Sequence, residues 1–363
     1  LSALAKTIIK DTLRFILFVG TGFGILYLVY NNQNKAYKAQ CVIDGIPLEE
    51  CSLIGKVFAD FQTVHVVYLL LVMFFFNVSN IARAMRWKLL LESMGYKVKT
   101  GNAFLTVMLS YFANLGLPRI GEVLRGTTFA KYEGIRVEKV MGTIVMDRLL
   151  DMLCVLIIVV LAIALEFDLI TSFIAGNTAG KSPGTLIFWI IGSFLVLFMI
   201  SWLFRARWSQ WRIVIRIKSL LLGFLEGIRS IQNVKKPFAF ALYSISIWLM
   251  YFLMTWVCFF AFDPTAHLSL KAGLIVFVFG TFGVIIPSPG GMGTFHALAV
   301  IALSFYSING DDAFSFANIL FFTVQIGCTI LLGIISIILL PIINKNYNPI
   351  ENKELDLQNR IHP

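Results

Sequence analysis

The chain has 363 residues, of which 58% are hydrophobic and only 14% charged, with 30 Lys and Arg against 20 Asp and Glu for a formal charge of +10. A soluble domain carries about 25% charged residues, so this composition excludes a soluble nucleic-acid binder, a disordered chain and a disulfide-dense secreted scaffold. An all-α, polytopic membrane protein remains, with lipid as solvent for much of its surface, and the basic excess reads as the positive-inside bias of short loops.

Apolar runs of spanning length follow in order. The first, Leu13–Tyr30, has no small-residue cleavage site after it and reads as a retained span. The loop Asn31–Asp60 is net negative and carries Cys41 and Cys51, ten residues apart, where an oxidising compartment favours a disulfide. The second span, Val64–Ala82, ends at the basic cluster Arg83, Arg86 and Lys88. Gly101–Leu117 is apolar but stops at Pro118. Val140–Leu165 is the third span, with Asp147, Arg148 and Asp151 inside it, and Gly184–Phe204 the fourth. Trp208–Ile231 alternates Arg212, Arg216 and Glu226 with Trp211, Ile215 and Leu225 at helical spacing, as an interfacial amphipathic helix does. Pro237–Phe262 and Ala313–Ile343 complete six full spans, and residues 344–363 form a short cytoplasmic tail.

A further apolar segment, Ala272–Tyr306, is interrupted by Pro287-Ser288-Pro289-Gly290-Gly291-Met292-Gly293, through which no helix continues. Loop charges place both termini in the cytoplasm only if Gly101–Lys139 and Ala272–Tyr306 each return to the side they entered. The expectation is therefore two re-entrant hairpins entering from opposite faces. They would lie in two pseudo-repeat halves, roughly 60–165 and 237–343, of one membrane-embedded domain spanning 1–343, the inverted arrangement of alternating-access transporters. Two chance Pro/Gly breaks in an apolar chain are the alternative.

Motifs of soluble enzymes are scarce. There is no nucleophile elbow, P-loop or zinc-protease motif, and the four His residues are scattered, so no metal or cofactor is expected. Three polar constellations stand out. In Asn114-Leu115-Gly116-Leu117-Pro118-Arg119-Ile120-Gly121-Glu122-Val123-Leu124-Arg125, Pro118 suits the first turn of a helix, which places Arg119, Glu122 and Arg125 on one side of it. Their net charge is positive at a helix N-terminus, and guanidinium forks fit phosphate. The alternative is a salt-bridge network at a helix edge. Asp147 and Asp151 share a face at i, i+4, with Arg148 in reach of Asp151 at i, i+3; charges within a span usually face a cavity or a partner, as a gate or as a static lock. The third constellation is the glycine-rich tip, where Ser288, Gly290, Gly291, Thr294 and His296 either let backbone N–H groups approach a phosphate or only permit the turn.

Pro118-Arg119-x-Gly121-Glu122-x-x-Arg125, Asp147-Arg148-x-x-Asp151 and Pro287-x-Pro289-Gly290-Gly291-x-Gly293, in this order, resemble the transmembrane region of the lysylphosphatidylglycerol synthase family, also called the flippase-like domain family, over about residues 10–343. The resemblance implies a bacterial inner-membrane protein that moves lipids across the bilayer. In longer relatives a cytoplasmic aminoacyl-lipid synthase domain follows; about twenty residues follow Ile343 here, so that domain is expected to be absent. Relatives carry Arg-Glu where this chain has Phe295-His296, which leaves His296 as a titratable group for proton coupling. The expected function is a non-enzymatic translocase for an anionic or phosphate-bearing lipid. A membrane scaffold for an envelope or glycosyltransferase system and an intramembrane headgroup enzyme built on Asp147, Asp151 and His296 are the rivals.

Overall fold

The computed structural model describes residues 3–49, 51–116, 120–167, 234 and 236–345, with side chains from residue 16 onward. Arg119 and Pro118, the expected span Gly184–Phe204, the amphipathic segment Trp208–Ile231 and nearly all of the tail lie outside the described residues. Every extended element among the described residues is helical: α1 (Ala3–Ile43), α2 (Leu53–Thr63), α3 (Val66–Ser93), α4 (Thr100–Gly116), α5 (Ile120–Glu133), α6 (Val137–Leu165), α7 (Pro237–Phe259), α8 (Leu270–Ile285), α9 (Thr294–Ser304), α10 (Gly310–Phe322) and α11 (Leu331–Ile343). A π-helical stretch, Thr323–Ile330, joins α10 to α11 without a break.

Among the described residues, four helices are long and apolar enough to cross a bilayer: α3, α6, α7 and the continuous Gly310–Ile343. Their lipid-facing sides carry residues such as Leu156, Ile157, Val160 and Leu161 of α6, all exposed. The protein is thus an all-helical, multi-pass membrane protein. The expected first span lies within α1, which runs on to Ile43, so the segment read as a loop from Asn31 is helical for most of its length. The turn between α1 and α2 is closed by the Cys41–Cys51 disulfide, with Cα atoms 6.4 Å apart.

The second span is longer than its apolar run. No Gly or Pro interrupts Ile81–Ser93, so α3 continues until Gly95, whose φ of +92° accepts the left-handed turn beyond the helix. Arg83, Arg86 and Lys88 therefore sit on a helix and not in a loop, and Arg83 and Arg86 are buried. With Phe76, Ser79, Asn80, Trp87 and Leu90 they make one buried stripe at i, i+3, i+4 and i+7.

Both broken segments fold back. α4 and α5 pack on each other, and their far ends are tied: the Lys99 backbone N–H donates to both Glu133 oxygens at 3.2 Å. At the tip, Asn114 Oδ1 accepts from the Gly121 N–H at 2.9 Å, so one side chain bridges the break. In the second segment α8 ends at Ile285, a 3-10 turn forms at Pro289–Gly291, and α9 returns along α8. Gly293 is at φ +79°, and a Cβ there would lie 2.6 Å from Leu26 N and 2.7 Å from Gly22 O of α1. The two tips meet, because a Cβ on Gly290 would touch Leu115 at 2.5 Å, and Gln325 of the π stretch donates to Gly290 O at 2.7 Å.

Candidate functional site

The interior of the bundle holds a cluster of ionised side chains from three helices. α6 supplies Asp147 and Asp151, one turn apart on one face, and α3 supplies Arg83 and Arg86. Arg86 Nη2 bridges the two carboxylates, at 2.5 Å from Asp147 Oδ1 and 2.6 Å from Asp151 Oδ1, and its Nε is 3.0 Å from Asp147 Oδ1. Arg83 Nη1 bonds Asp151 Oδ2 and lies 3.7 Å from Asp147 Oδ2. Arg125 of α5 donates from Nη1 to Asp147 Oδ2 at 3.2 Å, and its guanidinium lies over the Trp87 ring, 3.8 Å from the centroid. Trp87 is held by Thr143, whose Oγ1 accepts from the indole N–H at 2.9 Å, and by Phe129 at 4.4 Å.

Charge and hydrogen bonds do not close in this cluster. Arg83, Arg86 and Arg125 oppose only Asp147 and Asp151, a surplus of one positive charge (three minus two) among buried groups. Arg125 Nε and Nη2, Arg83 Nε and Arg86 Nη1 are all buried without a hydrogen-bond partner. Unpaired buried N–H groups on a cation are expensive. An incoming anion with several oxygens would satisfy both the charge and the donors.

The expected internal pairings differ in two places. Arg148 does not turn to Asp151 but points to α5, where Nη2 meets Glu122 Oε1 at 3.0 Å; Asp151 is already taken by α3. Glu122 consequently holds Arg148 and not Arg125, at a half-exposed edge of the cluster. Asn114 spends its carbonyl on the hairpin tip. Sequence reasoning missed Arg83 and Arg86. Their position at the end of an apolar run imitates a cytoplasmic charge cluster, but Ser79, Asn80, Arg83 and Arg86 recurring on one helix face was the available signal.

The second tip is brought together but committed to itself. Thr294 Oγ1 donates to Gly283 O at 2.5 Å and pairs with Ser288 Oγ at 2.8 Å. The N–H groups of Gly291 and Met292 close the turn on Ser288 O and Pro289 O, and that of Gly293 is 3.4 Å from His296 Nδ1. These donors bond within the turn, as the turn-only alternative has it for Gly291. His296 is buried beside Phe314 and Phe321, and its Nε2 has no partner. No group of three or more His, Cys, Asp or Glu able to hold a metal occurs among the described residues.

A separate charged clasp joins α2 to α10. Lys56 Nζ is 2.9 Å from Asp60 and 2.6 Å from Asp312, and Ser315 Oγ donates to Asp60 at 2.5 Å. Burial works against the Lys56 charge, yet the Asp312 and Asp60 carboxylates outweigh it and hold the ammonium above its ordinary value. At the base of the first hairpin, burial raises the Glu133 carboxyl despite hydrogen bonds from Asn102 and Lys99.

A family model described as the lysylphosphatidylglycerol synthase TM region matches residues 52–333, which includes both hairpins and the whole charge cluster. The chain belongs to this family. Membership makes it a membrane protein connected with lipids, in keeping with the resemblance of its three motifs. No curated protein and no solved structure matches the chain.

Proposed function

We propose that this chain is a lipid translocase that moves an anionic, phosphate-bearing lipid across the bacterial inner membrane without altering it chemically, with both termini in the cytoplasm. The observation that carries the reading is the buried charge surplus with the unpartnered N–H groups of Arg125. A phosphate cannot cross about 30 Å of hydrocarbon without a polar route. This cluster supplies one where α3, α5 and α6 meet. Asp147 and Asp151 neutralise the arginines in the arrangement described, and in the proposal they yield Arg125 to an arriving anion. Arg119, which precedes α5, belongs with this site in the proposal, and His296, apart from it in the second hairpin beside Phe314 and Phe321, is the proposed proton-coupling group. The committed donors of the second tip give Ser288, Gly290, Gly291 and Thr294 the task of shaping the turn.

Transport of labelled phosphatidylglycerol in liposomes tests the proposal. Asp147 keeps Arg86 when Arg125 is lost, so Arg125→Gln should remain folded while losing at least tenfold in transport. Normal transport, or a protein that no longer folds, would overturn the headgroup assignment; a chemically altered lipid would point to an enzyme.

A further inference from the structure

Arg83 has neighbours besides the carboxylates. The buried stripe of α3 runs from Phe76 through Ser79 and Asn80 to Arg83. Both α4 and α7 pack on α3, and each sends a half-buried tyrosine to that stripe. The ring of Tyr111, from α4, lies 6.5 Å from that of Phe76, and Tyr251, from α7, presents its ring to the Arg83 guanidinium at 5.9 Å. The two hydroxyls meet at 3.2 Å, and among the described residues this is the one hydrogen bond between α4 and α7.

That bond leaves a donor over. Two phenols carry two O–H groups, and a bond between them uses one. Neither hydroxyl has another hydrogen-bond partner among the described residues. Arg83, against the Tyr251 ring, has an Nε that lacks an acceptor as well. Its Nη1 lies 3.7 Å from Asp147 Oδ2, the oxygen that Arg125 Nη1 meets at 3.2 Å. One guanidinium therefore links the phenol pair to the rest of the charge cluster. A hydrogen bond to an ionised acceptor is roughly twice as strong as a neutral one. A phosphate at Arg83 would exchange one neutral bond and one idle O–H for two charge-assisted bonds, and it has oxygens enough to face the guanidiniums at the same time.

We infer that Tyr111 and Tyr251 are ligands of the phosphate that enters the Arg83–Arg86–Arg125 cluster, and that the phosphate accepts from both hydroxyls in place of the bond they make to each other. This rests on the headgroup reading and adds to it two binding residues and a consequence. The bond given up is the hydrogen-bonded tie between the first hairpin and α7. Filling the site unlatches α4 from α7, and emptying it lets the two hydroxyls rejoin, so the headgroup itself works the link that spans its site.

The test uses the full chain purified in detergent, with dioctanoyl phosphatidylglycerol and inorganic phosphate as separate probes. Tyr111→Phe and Tyr251→Phe keep both rings, and with them the contacts to Phe76 and Arg83. Each should bind the lipid about tenfold more weakly, the usual loss for a hydrogen bond to a charged group. A purely structural pair predicts instead a lower thermal midpoint of the empty protein with unchanged affinity, and unchanged affinity in either variant overturns the inference. Should a variant fail to fold, 3-fluorotyrosine at position 111 of the otherwise unaltered chain decides: its fluorine resonance should move when the lipid is added, and a resonance that stays in place overturns the inference. Inorganic phosphate should bind more weakly than the lipid and show the same losses, since it meets the same hydroxyls. Losses for inorganic phosphate with none for the lipid would make the tyrosines part of a free-ion site and overturn their assignment to the lipid. Arg125→Gln separates the two readings. If it binds the lipid normally, the headgroup assignment fails; if it loses the lipid while both tyrosine variants keep it, the tyrosine assignment fails alone.

Discussion

The two broken hairpins solve one problem by opposite means. Each must turn a chain inside an apolar bundle. The first does so with polar side chains: Asn114 bridges the tip, Arg125 reaches Asp147, and Glu122 holds Arg148. The second does so with backbone: three glycines at positive φ, internal turn bonds, and α1 pressed so closely that Gly22 faces Pro289. Charge concentrates at the first and is absent from the second. The contrast teaches that a chain can turn inside an apolar bundle either on paired polar side chains or on its own backbone.

Breaking that contrast should hurt most at its charged centre. Arg86→Ala leaves Asp147 and Asp151 without the guanidinium that bridges them. Loss of one partner from a buried ion network costs about 3–5 kcal/mol, and a fall in the thermal midpoint of detergent-purified protein would register it. Next comes the glycine turn. Gly293→Ala combines a left-handed backbone with a Cβ only 2.6 Å from Leu26 N, so a destabilisation of roughly 1–3 kcal/mol is expected from strain and crowding, visible as faster proteolysis between α8 and α9. Asn114→Ala removes a single hydrogen bond at the first tip and should cost about 1 kcal/mol, read as a smaller fall in the thermal midpoint. Smallest is Glu122→Gln. Its pair with Arg148 is partly solvated, with side chains 25% and 39% exposed, and such pairs contribute about 0–1 kcal/mol. Equal losses for Glu122→Gln and Arg86→Ala would abolish the distinction between core and edge of the cluster.

Much of this was legible in the sequence because the signals were strong and local. The Pro/Gly-rich run Pro287–Gly293 carries too little helical preference for α8 to continue, and Cys41 and Cys51 are close enough in the chain to pair across one turn. Asp147 and Asp151 within an apolar run demanded partners. Which partners was not legible, because that depends on α3 lying beside α6, a long-range fact that no spacing within either segment encodes. Arg83 and Arg86 also sit where membrane proteins commonly end a span with basic residues, and a helix that continues past them has the same composition as a loop. Arg148 illustrates the reverse error: i, i+3 proximity to Asp151 is real, but a carboxylate already held by two guanidiniums has no reason to take a third, and Glu122 was the free acid.

Just past α11, Asn344 exchanges side-chain hydrogen bonds with Asn102, at 3.0 Å and 2.8 Å, across 242 residues of sequence, and Asn102 also donates to Glu133 at 2.6 Å. A ribosome releases these groups in a fixed order. Asn344 is made 242 residues after Asn102, so the amide that completes the base of the first hairpin comes only after α11. Until then Asn102 lacks one of its partners, and a contact so distant in sequence forms slowly. The base of the first hairpin therefore closes only when the segment that follows α11 has joined it.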